Sequence, residues 1–320
     1  MRHRCLALLL LTLCLAASQG LRAQPLTLVE LNCENLFDCR HDSLKQDTEF
    51  LPQGARHWTR SKYWRKLNAV GQAILACSDR LPSLVALCEV ENDTVLHDLT
   101  RRSLLRNAGY EYLMTQSADV RGLDVALLYQ PAHFRPLCYE TIAVPPLKGM
   151  RPTRDILYVM GETQRGDTLR LFILHAPSRY GGRLQSQPFR LRVADVLGRS
   201  TDSILQKQVI IAGDFNDYAD DKSLQRLEQR GFANITLAAK GCHGAKANYR
   251  HEGLWRSLDH ILVSPTLLPA VDTAYVCDEP FLLEDEPKYG GCRPRRTFRG
   301  YRYQRGVSDH LPLVVRFLWK

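Results

Sequence analysis

The sequence predicts a mixed α/β domain, and three observations lead to that prediction. Apolar strand-like runs alternate with helix-like segments from one end of the chain to the other. No internal repeat and no low-complexity linker divides residues 25–320, which lie near the upper size that one hydrophobic core serves. Several strand-like runs follow one another closely, as hairpins do, and a purely doubly wound sheet contains few of these. We therefore expect a single domain over residues 25–320.

The first 24 residues have the layout of a secretory signal peptide. Arg2 and Arg4 precede an apolar run from Cys5 to Ala17, and small or polar residues follow it. The alternative is a membrane-spanning helix, but that requires about 20 apolar residues, more than this run supplies. The sequence therefore predicts cleavage near Gln24, a secreted or periplasmic protein, and no stable membrane insertion.

The charge balance is mildly basic. The formal net charge of the whole chain is +9, and loss of residues 1–24 removes three arginines and no acid, which leaves +6. Such a bias is compatible with a polyanionic substrate and equally with an ordinary basic enzyme.

Short strands and two helices are expected in the first half of the domain. The predicted strands are Leu26–Leu31, Ser83–Leu87, Tyr110–Thr115 and Val125–Tyr129. A helix should follow Ser61, whose side chain can cap it. A second helix should run from Asp93 to Asn107, because Gly109 is a good residue for ending a helix.

The second half continues the alternation. The predicted strands are Leu169–Leu174, Val209–Ala212, Ser257–Val263 and Leu311–Leu318. A long helix should begin at Pro188, since proline suits the first turn of a helix. Phe189, Val193, Leu197 and Ile204 follow at helical spacing and should pack on the core.

Carboxylate, amide and imidazole groups fall at the ends of the predicted strands. They are Asn32, Glu89, His175, Asp214, Asn216, Asp309 and His310. Polar groups at strand ends converge when the strands pack side by side, so one site is geometrically plausible. Each residue also has a simpler interpretation: Asp214 within GDFND as a turn residue, the others as solvated strand ends or loop residues.

These residue types suit hydrolysis of a phosphate ester. Asn32, Glu89 and Asp309 offer the oxygen ligands that Mg²⁺ prefers, with Ca²⁺ and Mn²⁺ as alternative ions. A bound cation would polarise the phosphoryl oxygen. Asp214 or an imidazole could deprotonate the attacking water, and Asp259 could orient His310.

Six segments in order resemble the signatures of the endonuclease/exonuclease/phosphatase superfamily. They are LVELNCENLFD, LVALCEVEN, FILHAPSRYGG, IIAGDFND, SLDHILVS and GVSDHLPLVVRF. The superfamily includes deoxyribonuclease I, abasic-site endonucleases, neutral sphingomyelinases and inositol polyphosphate 5-phosphatases. The match runs from Asn32 to about Phe317, and GDFN followed by SDHLP is its most specific part. The resemblance implies a four-layered α/β sandwich, with two packed mixed sheets flanked by helices.

The resemblance also implies a role for each matched residue. Asn32, Glu89 and Asp309 would bind the metal. Asp214 would activate the water or stabilise the transition state, and Asn216 would orient it and contact the phosphate. His310, paired with Asp259, would bind the scissile phosphate.

His175 matches the position of the second catalytic histidine of deoxyribonuclease I, which favours a nuclease. Its carboxylate partner is expected to be Asp124. The tyrosine that abasic-site enzymes place on the phosphate has no clear counterpart, and Arg179 is a candidate to replace it as a cation.

Residues 293–305 read RPRRTFRGYRYQR and directly precede Asp309 and His310. Arginines neutralise backbone phosphates and aromatic rings stack on bases, so Arg295, Arg296 and Arg299 are predicted to bind substrate. The alternative is a solvated arginine-rich loop.

Eight cysteines remain after the predicted signal peptide, an even number that permits disulfides in an oxidising compartment. Cys277 with Cys292 and Cys33 with Cys39 are local candidates. Cys77 and Cys88 lie in apolar runs and are expected to be buried free thiols.

The sequence thus predicts a secreted, divalent-metal-dependent phosphodiesterase, foremost a nuclease that acts on DNA or RNA. A phosphodiesterase or phosphatase for a lipid headgroup or a small phosphorylated metabolite is the second hypothesis. A non-catalytic binding module on the same fold is the third.

Overall fold

The computed structural model describes residues 25–319, and two six-stranded sheets form the centre of this part of the chain. The predicted signal peptide, residues 1–24, lies outside the described residues. The strands are β1 (Leu26–Leu36), β2 (Leu84–Val90), β3 (Glu111–Met114), β4 (Asp124–Tyr129), β5 (Phe134–Ile142), β6 (Ile156–Thr163), β7 (Thr168–His175), β8 (Gln208–Asp214), β9 (Ala233–Asn234), β10 (Tyr249–His251), β11 (Leu254–Arg256), β12 (Asp259–Val263), β13 (Val271–Val276), β14 (Leu283–Asp285), β15 (Cys292–Pro294), β16 (Phe298–Arg299), β17 (Arg302–Tyr303) and β18 (Leu313–Phe317). The α-helices are α1 (Arg60–Ala76), α2 (Asp93–Arg101), α3 (Arg183–Thr201) and α4 (Lys222–Gln229).

Both sheets are mixed. The first has the order β13-β18-β1-β2-β4-β3 and the second has the order β5-β6-β7-β8-β12-β9. The pairs β1/β2 and β7/β8 are parallel, and each is connected through a helix, α1 and α3 respectively, as a parallel crossover requires. The remaining pairs of the two sheets, within residues 25–319, are antiparallel.

The sheets pack face to face, with β1, β2 and β4 against β7, β8 and β12. Strand alternation explains the layers: on β8, Ile210 and Ala212 point into the core between the sheets, whereas Val209 and Ile211 point outward. The outward residues pack against α3 and α4. Helix α1 contacts β1 and α2 on the other side. The prediction of a four-layered α/β sandwich is confirmed.

Two helix starts differ from the prediction. Helix α1 is capped by Thr59 rather than Ser61, because the Thr59 side chain accepts a hydrogen bond from the Lys62 amide. Helix α3 begins at Arg183, so Pro188 lies inside it. The start is fixed by Gly182 at φ 111°, a conformation that glycine adopts without strain.

Helix α2 ends at Arg101, six residues before the predicted end. The amides of Arg102 and Ser103 both donate to the Asp98 carbonyl, which ends the regular pattern before Gly109 is reached. Strands β5, β6 and β13 and helix α4 were not predicted. Strand β5 is an exposed edge with Pro136 at a register shift, and proline in a strand-like run argues against a strand.

Neither of the two candidate disulfides is present among the described residues. All eight between Cys33 and Cys292 are free thiols in the structure. Cys277 lies next to Cys77 rather than to Cys292, since its thiol is 3.8 Å from the carbonyl oxygen of Ala76. Cys77 and Cys88 are buried, in agreement with the prediction.

Candidate active site

Three polar residues form a row across one end of the second sheet. His175 on β7 is in register with Asp214 on β8, and Asp214 is in register with Asp259 on β12. Each lies on the inward-facing side of its strand, two residues from an inward-facing apolar residue: Ile173, Ala212 and Ile261 respectively. All three side chains are therefore buried against the first sheet.

The first sheet presents its own polar groups to this row. Asn32 on β1 donates from Nδ2 to Asp214 Oδ2 at 2.9 Å, which joins the two sheets. The Ser308 hydroxyl donates to the Asn32 carbonyl at 2.6 Å and accepts the His310 amide at 3.0 Å. These bonds hold the segment before β18 against the end of β1.

The backbone at this end is unusual. Glu34, Asn35, Glu89 and Asn216 all have positive φ, between 49° and 62°. Such conformations are uncommon for residues other than glycine and often occur at functional sites. Glu89 lies where the pairing of β2 with β4 shifts register, so a bulge rather than a strand end directs its carboxylate.

Gly213 permits the close approach of β7 and β8. Its φ is 144°, and a Cβ atom there would lie 1.9 Å from the carbonyl oxygen of Leu174. Only glycine fits this position, which sets the direction of the next residue, Asp214.

His310 and Asp259 form a buried pair. The His310 Nδ1 atom is 2.5 Å from Asp259 Oδ2, and the Asn248 side chain donates to the same oxygen. Burial alone would lower the pKa of His310, but the Asp259 carboxylate outweighs burial and holds that pKa well above its usual value. His310 is thus a charged donor whose ring also packs 4.9 Å from Tyr249.

Asp214 is a buried acid with a raised pKa. Burial raises the pKa of Asp214 to about 7, and the neighbouring Asp259 adds to the effect. The Asn216 amide donates to Asp214 Oδ1 at 2.7 Å, and the Asn216 side chain is fixed by the Ala176 carbonyl at 3.0 Å. A carboxyl group with this pKa is suited to accept and return a proton near neutrality.

His175 faces two carboxylates. Its Nε2 atom is 3.5 Å from Asp214 Oδ2 and 3.8 Å from Glu89 Oε1. Burial, together with the charge of Arg154, lowers the pKa of His175 well below its usual value, so the ring is neutral. Its Nδ1 atom has no hydrogen-bond partner among residues 25–319.

The predicted pairing of Asp124 with His175 does not form. The Asp124 carboxylate accepts from the Thr115 hydroxyl at 2.6 Å and from the Ser117 amide at 3.1 Å. These bonds fix the turn between β3 and β4 and leave nothing directed at His175.

Sequence reasoning missed two buried acids. Glu30 is fully buried between the sheets, and burial followed by Asp259 and Asp214 raises its pKa well above the usual value. The Oε2 atom of Glu30 has no hydrogen-bond partner among residues 25–319. Glu34 accepts the Thr297 amide at 2.6 Å, and burial raises its pKa to about 7. The detectable signal for Glu30 was an acid inside the apolar strand LTLVELN.

The oxygen groups fit a hard divalent cation. Asn32, Glu89 and Asp309, with Glu34 beside them, offer carboxylate and amide oxygens at one end of the first sheet. Asp214, Asp259 and His310 form a different set, whose donor atoms lie within 4.8 Å of one another. In this second set Asp259 and His310 bond to each other, and in the first set Asp309 accepts a hydrogen bond from Arg296 at 2.9 Å.

Of the four arginines predicted to bind substrate, three are bonded to groups of the same chain and one is exposed. Arg179 donates to the Asn216 carbonyl at 2.8 Å and to Asp221 at 2.6 Å, so it supports the loop after β8. Arg296 bridges Glu34 and Asp309 inside the site. Arg299 is bound by Glu284, whereas Arg295 is exposed.

Residues 27–318 match the model of the Endonuclease/Exonuclease/phosphatase family. The chain belongs to this family. Members of the endonuclease/exonuclease/phosphatase family are phosphoester hydrolases that generally depend on a divalent metal, so the chain is a hydrolase of phosphate esters. No curated protein matches its sequence.

Solved structures share the fold of the family. A family protein from Bacteroides thetaiotaomicron is 16% identical, with a TM-score of 0.62 over 93% of this chain and 99% of that one. A mannosyl-6-phosphatase of the same species is 17% identical, with a TM-score of 0.61 over 92% and 100%. TDP2 of D. rerio, complexed with a single-strand DNA product, is 16% identical, with a TM-score of 0.55 over 92% and 99%. At these identities the likeness concerns the fold.

Proposed function

We propose that the protein is an exported, divalent-metal-dependent phosphodiesterase that hydrolyses DNA or RNA. The proposal rests on one observation: a row of polar side chains on the second sheet faces a cluster of oxygen-bearing side chains on the first sheet. Proton-transfer and phosphate-binding groups come from the row on the second sheet, which consists of His175, Asp214 and Asp259, together with His310. The oxygens of Asn32, Glu89 and Asp309 supply ligands for Mg²⁺, or for Ca²⁺ or Mn²⁺.

Each residue has a task in this proposal. Asp214 accepts the proton of the attacking water, and Asn216, held by Asp214 and the Ala176 carbonyl, orients that water. Protonated His310, oriented by Asp259, donates to a phosphoryl oxygen and stabilises its developing charge. A cation held by Asn32, Glu89 and Asp309 would polarise the phosphoryl group. Neutral His175 is a second donor near the phosphate.

The basic segment before Asp309 supports a polymeric substrate. Arg295, Tyr301 and Arg302 are exposed, so they can contact a phosphate backbone and its bases. The structural similarity to TDP2 with its DNA product is in keeping with this proposal.

Phosphatase action on a small metabolite is the second candidate. The mannosyl-6-phosphatase is as similar in fold as the other neighbours. Arg293, Arg296 and Arg299 are moreover held by acids of the same chain, which lowers the positive charge available to a long polyanion.

Activity is tested with the purified chain on supercoiled plasmid, RNA, bis(p-nitrophenyl) phosphate and mannose 6-phosphate, with Mg²⁺, Ca²⁺, Mn²⁺ or chelator. We expect metal-dependent cleavage of nucleic acid. His310→Ala should lower the rate by about 10²–10⁴-fold. The matched control, His97→Ala on the exposed side of α2, should leave it unchanged. Preferential turnover of mannose 6-phosphate would establish the second candidate, and no turnover of any substrate would refute both.

Substrate binding by the basic segment has a separate test. Arg295→Gln with Arg302→Gln should weaken DNA binding and reduce the slope of log K against log salt by roughly 0.9 for each lost phosphate contact. Arg106→Gln with Arg199→Gln removes the same charge from exposed positions in the turn segment after α2 and on α3. Equal effects of the two double variants would mean that net charge alone, not this segment, determines binding.

Export rests on the pattern of residues 1–24 alone. Expression with its own leader in a Gram-negative host should deliver protein that begins near residue 25 to the periplasm or the medium. Full-length protein recovered from the cytoplasm would contradict export.

A further inference from the structure

Two cysteines far apart in the chain meet at the edge of the first sheet. Cys77 caps the C-terminus of α1, and Cys277 directly follows β13. The Cys277 thiol lies 3.8 Å from the carbonyl oxygen of Ala76, the residue before Cys77, and both cysteine side chains are almost fully buried, at 1% and 4% exposure. Neither belongs to the active site described above.

The backbone around both residues is already fixed in place. The Tyr275 hydroxyl donates to the Cys77 carbonyl at 2.5 Å, and the Cys277 thiol lies 3.8 Å from the Ala76 carbonyl. The Cys277 amide donates to the Pro312 carbonyl at 2.9 Å. Hydrogen bonds to neighbouring elements thus hold the backbone on both sides of the pair in place.

We propose that Cys77 and Cys277 form a disulfide that links α1 to the edge of the first sheet. The oxidant is another disulfide, either a small one such as oxidised glutathione or that of a thiol–disulfide oxidoreductase. The thiolate of one cysteine attacks the oxidant and releases one thiol. The second cysteine then attacks the mixed disulfide and releases the other. Overall, two protein thiols lose two electrons and two protons, and the oxidant gains them as two thiols.

The chemistry of the pair suits this reaction. A hydrogen bond from Cys77 lowers the pKa of Cys277, whereas burial raises the pKa of Cys77. Cys277 is therefore the first nucleophile. Both residues line a cleft of about 470 Å³ that opens to solvent and is also lined by Cys242. This cleft gives an oxidant access to the buried sulfurs.

Peptide mapping tests the pairing directly. The full chain is equilibrated with oxidised and reduced glutathione, quenched with acid, alkylated and digested with trypsin without reduction. Cys77 falls in the peptide 67–80 and Cys277 in the peptide 257–288, whereas Cys242 and Cys292 fall in the peptides 241–246 and 289–295. We expect 67–80 linked to 257–288. Alkylation of both thiols, or a link from Cys277 to Cys242 or Cys292, would overturn the proposal.

Stability provides a second readout that uses a matched variant. The disulfide closes the long segment 78–276, so reduction with dithiothreitol should lower the Tm of the wild type by roughly 5–10 °C. Cys242→Ala, at the rim of the same cleft, should keep this response, and Cys277→Ala should lose it. A response to dithiothreitol that persists in Cys277→Ala would assign the disulfide elsewhere. The mapping of the wild type remains decisive if that variant does not fold.

Discussion

Arg154 holds the loop that follows β7 through hydrogen bonds to its backbone. It is buried, pairs with Asp119 at 3.0 Å, and donates to the carbonyls of His175 and Ala176 at 3.2 Å and 2.9 Å. The guanidinium thus uses its fixed geometry to hold a carboxylate and two carbonyls at once. Arg154 therefore helps to hold the backbone at His175 in place.

Asp119→Asn should lower the free energy of unfolding by about 3 kcal/mol at pH 7, because it leaves the Arg154 charge buried without its partner. Burial would raise the pKa of Asp119, but Arg154 outweighs it and lowers that pKa. The stabilisation is therefore present above the unfolded pKa of about 4 and is lost as pH falls through the folded value.

Urea unfolding of the wild type and Asp119→Asn from pH 3 to pH 7 measures this effect. The two curves should converge toward the acid end. Asp167→Asn, a half-exposed acid paired with Arg165 at 3.4 Å, serves as the control and should differ little from the wild type. A difference for Asp119→Asn that stays constant with pH would contradict the assignment.

At the scale of elements, β8 shows how one glycine sets the direction of a functional residue. Gly213→Ala should lower the free energy of unfolding by more than about 2 kcal/mol, because its Cβ cannot share space with the Leu174 carbonyl. It should also displace Asp214 and reduce hydrolysis. Gly71→Ala inside α1 is the comparison: its Cβ meets neighbours at an ordinary 3.4 Å, so helix propensity should raise stability by about 0.5–1 kcal/mol. Equal effects of the two would refute the steric argument.

The sequence predicted those elements whose apolar periodicity is unbroken. Strands β1, β2, β4, β7, β8 and β12 were placed within a few residues, and they form the packed centre of the two sheets. The edge strand β5 was missed because it is mostly exposed and contains Pro136. The start of α3 was predicted too late, at Pro188. The helix starts after Gly182, and the positive φ of this glycine cannot be inferred from apolar periodicity.

Site residues followed the same division. His175 and Asp214 could be predicted because they end strands with clear alternation, and Asp259 because it begins one. The direction of the Glu89 side chain could not be predicted, because it depends on a bulge in the pairing of β2 with β4. The burial of Glu34 depends on residues 296–298, which are distant in sequence.

At the scale of the whole molecule, the two sheets that enclose the core also carry the residues of the candidate site. Leu127→Ala on the inner side of β4 should lower the free energy of unfolding by about 2–5 kcal/mol, since it leaves a cavity between the sheets. Activity per folded molecule should stay unchanged, because Leu127 is an apolar core residue outside the proposed catalytic set. Urea unfolding combined with initial rates measures both quantities. Leu44→Ala, at an exposed position, is the control. A loss of activity in folded Leu127→Ala would show that the core tunes the site.

The position of β18 has a consequence for the protein during its synthesis. This strand comes last in chain order, yet it lies between β13 and β1 within the first sheet. Asp309 and His310 are positioned by the same segment. A nascent or truncated chain that lacks residues 309–318 therefore has neither the complete first sheet nor His310, to which we assign phosphate binding. If that assignment is right, hydrolysis is expected only after this last strand has been synthesised.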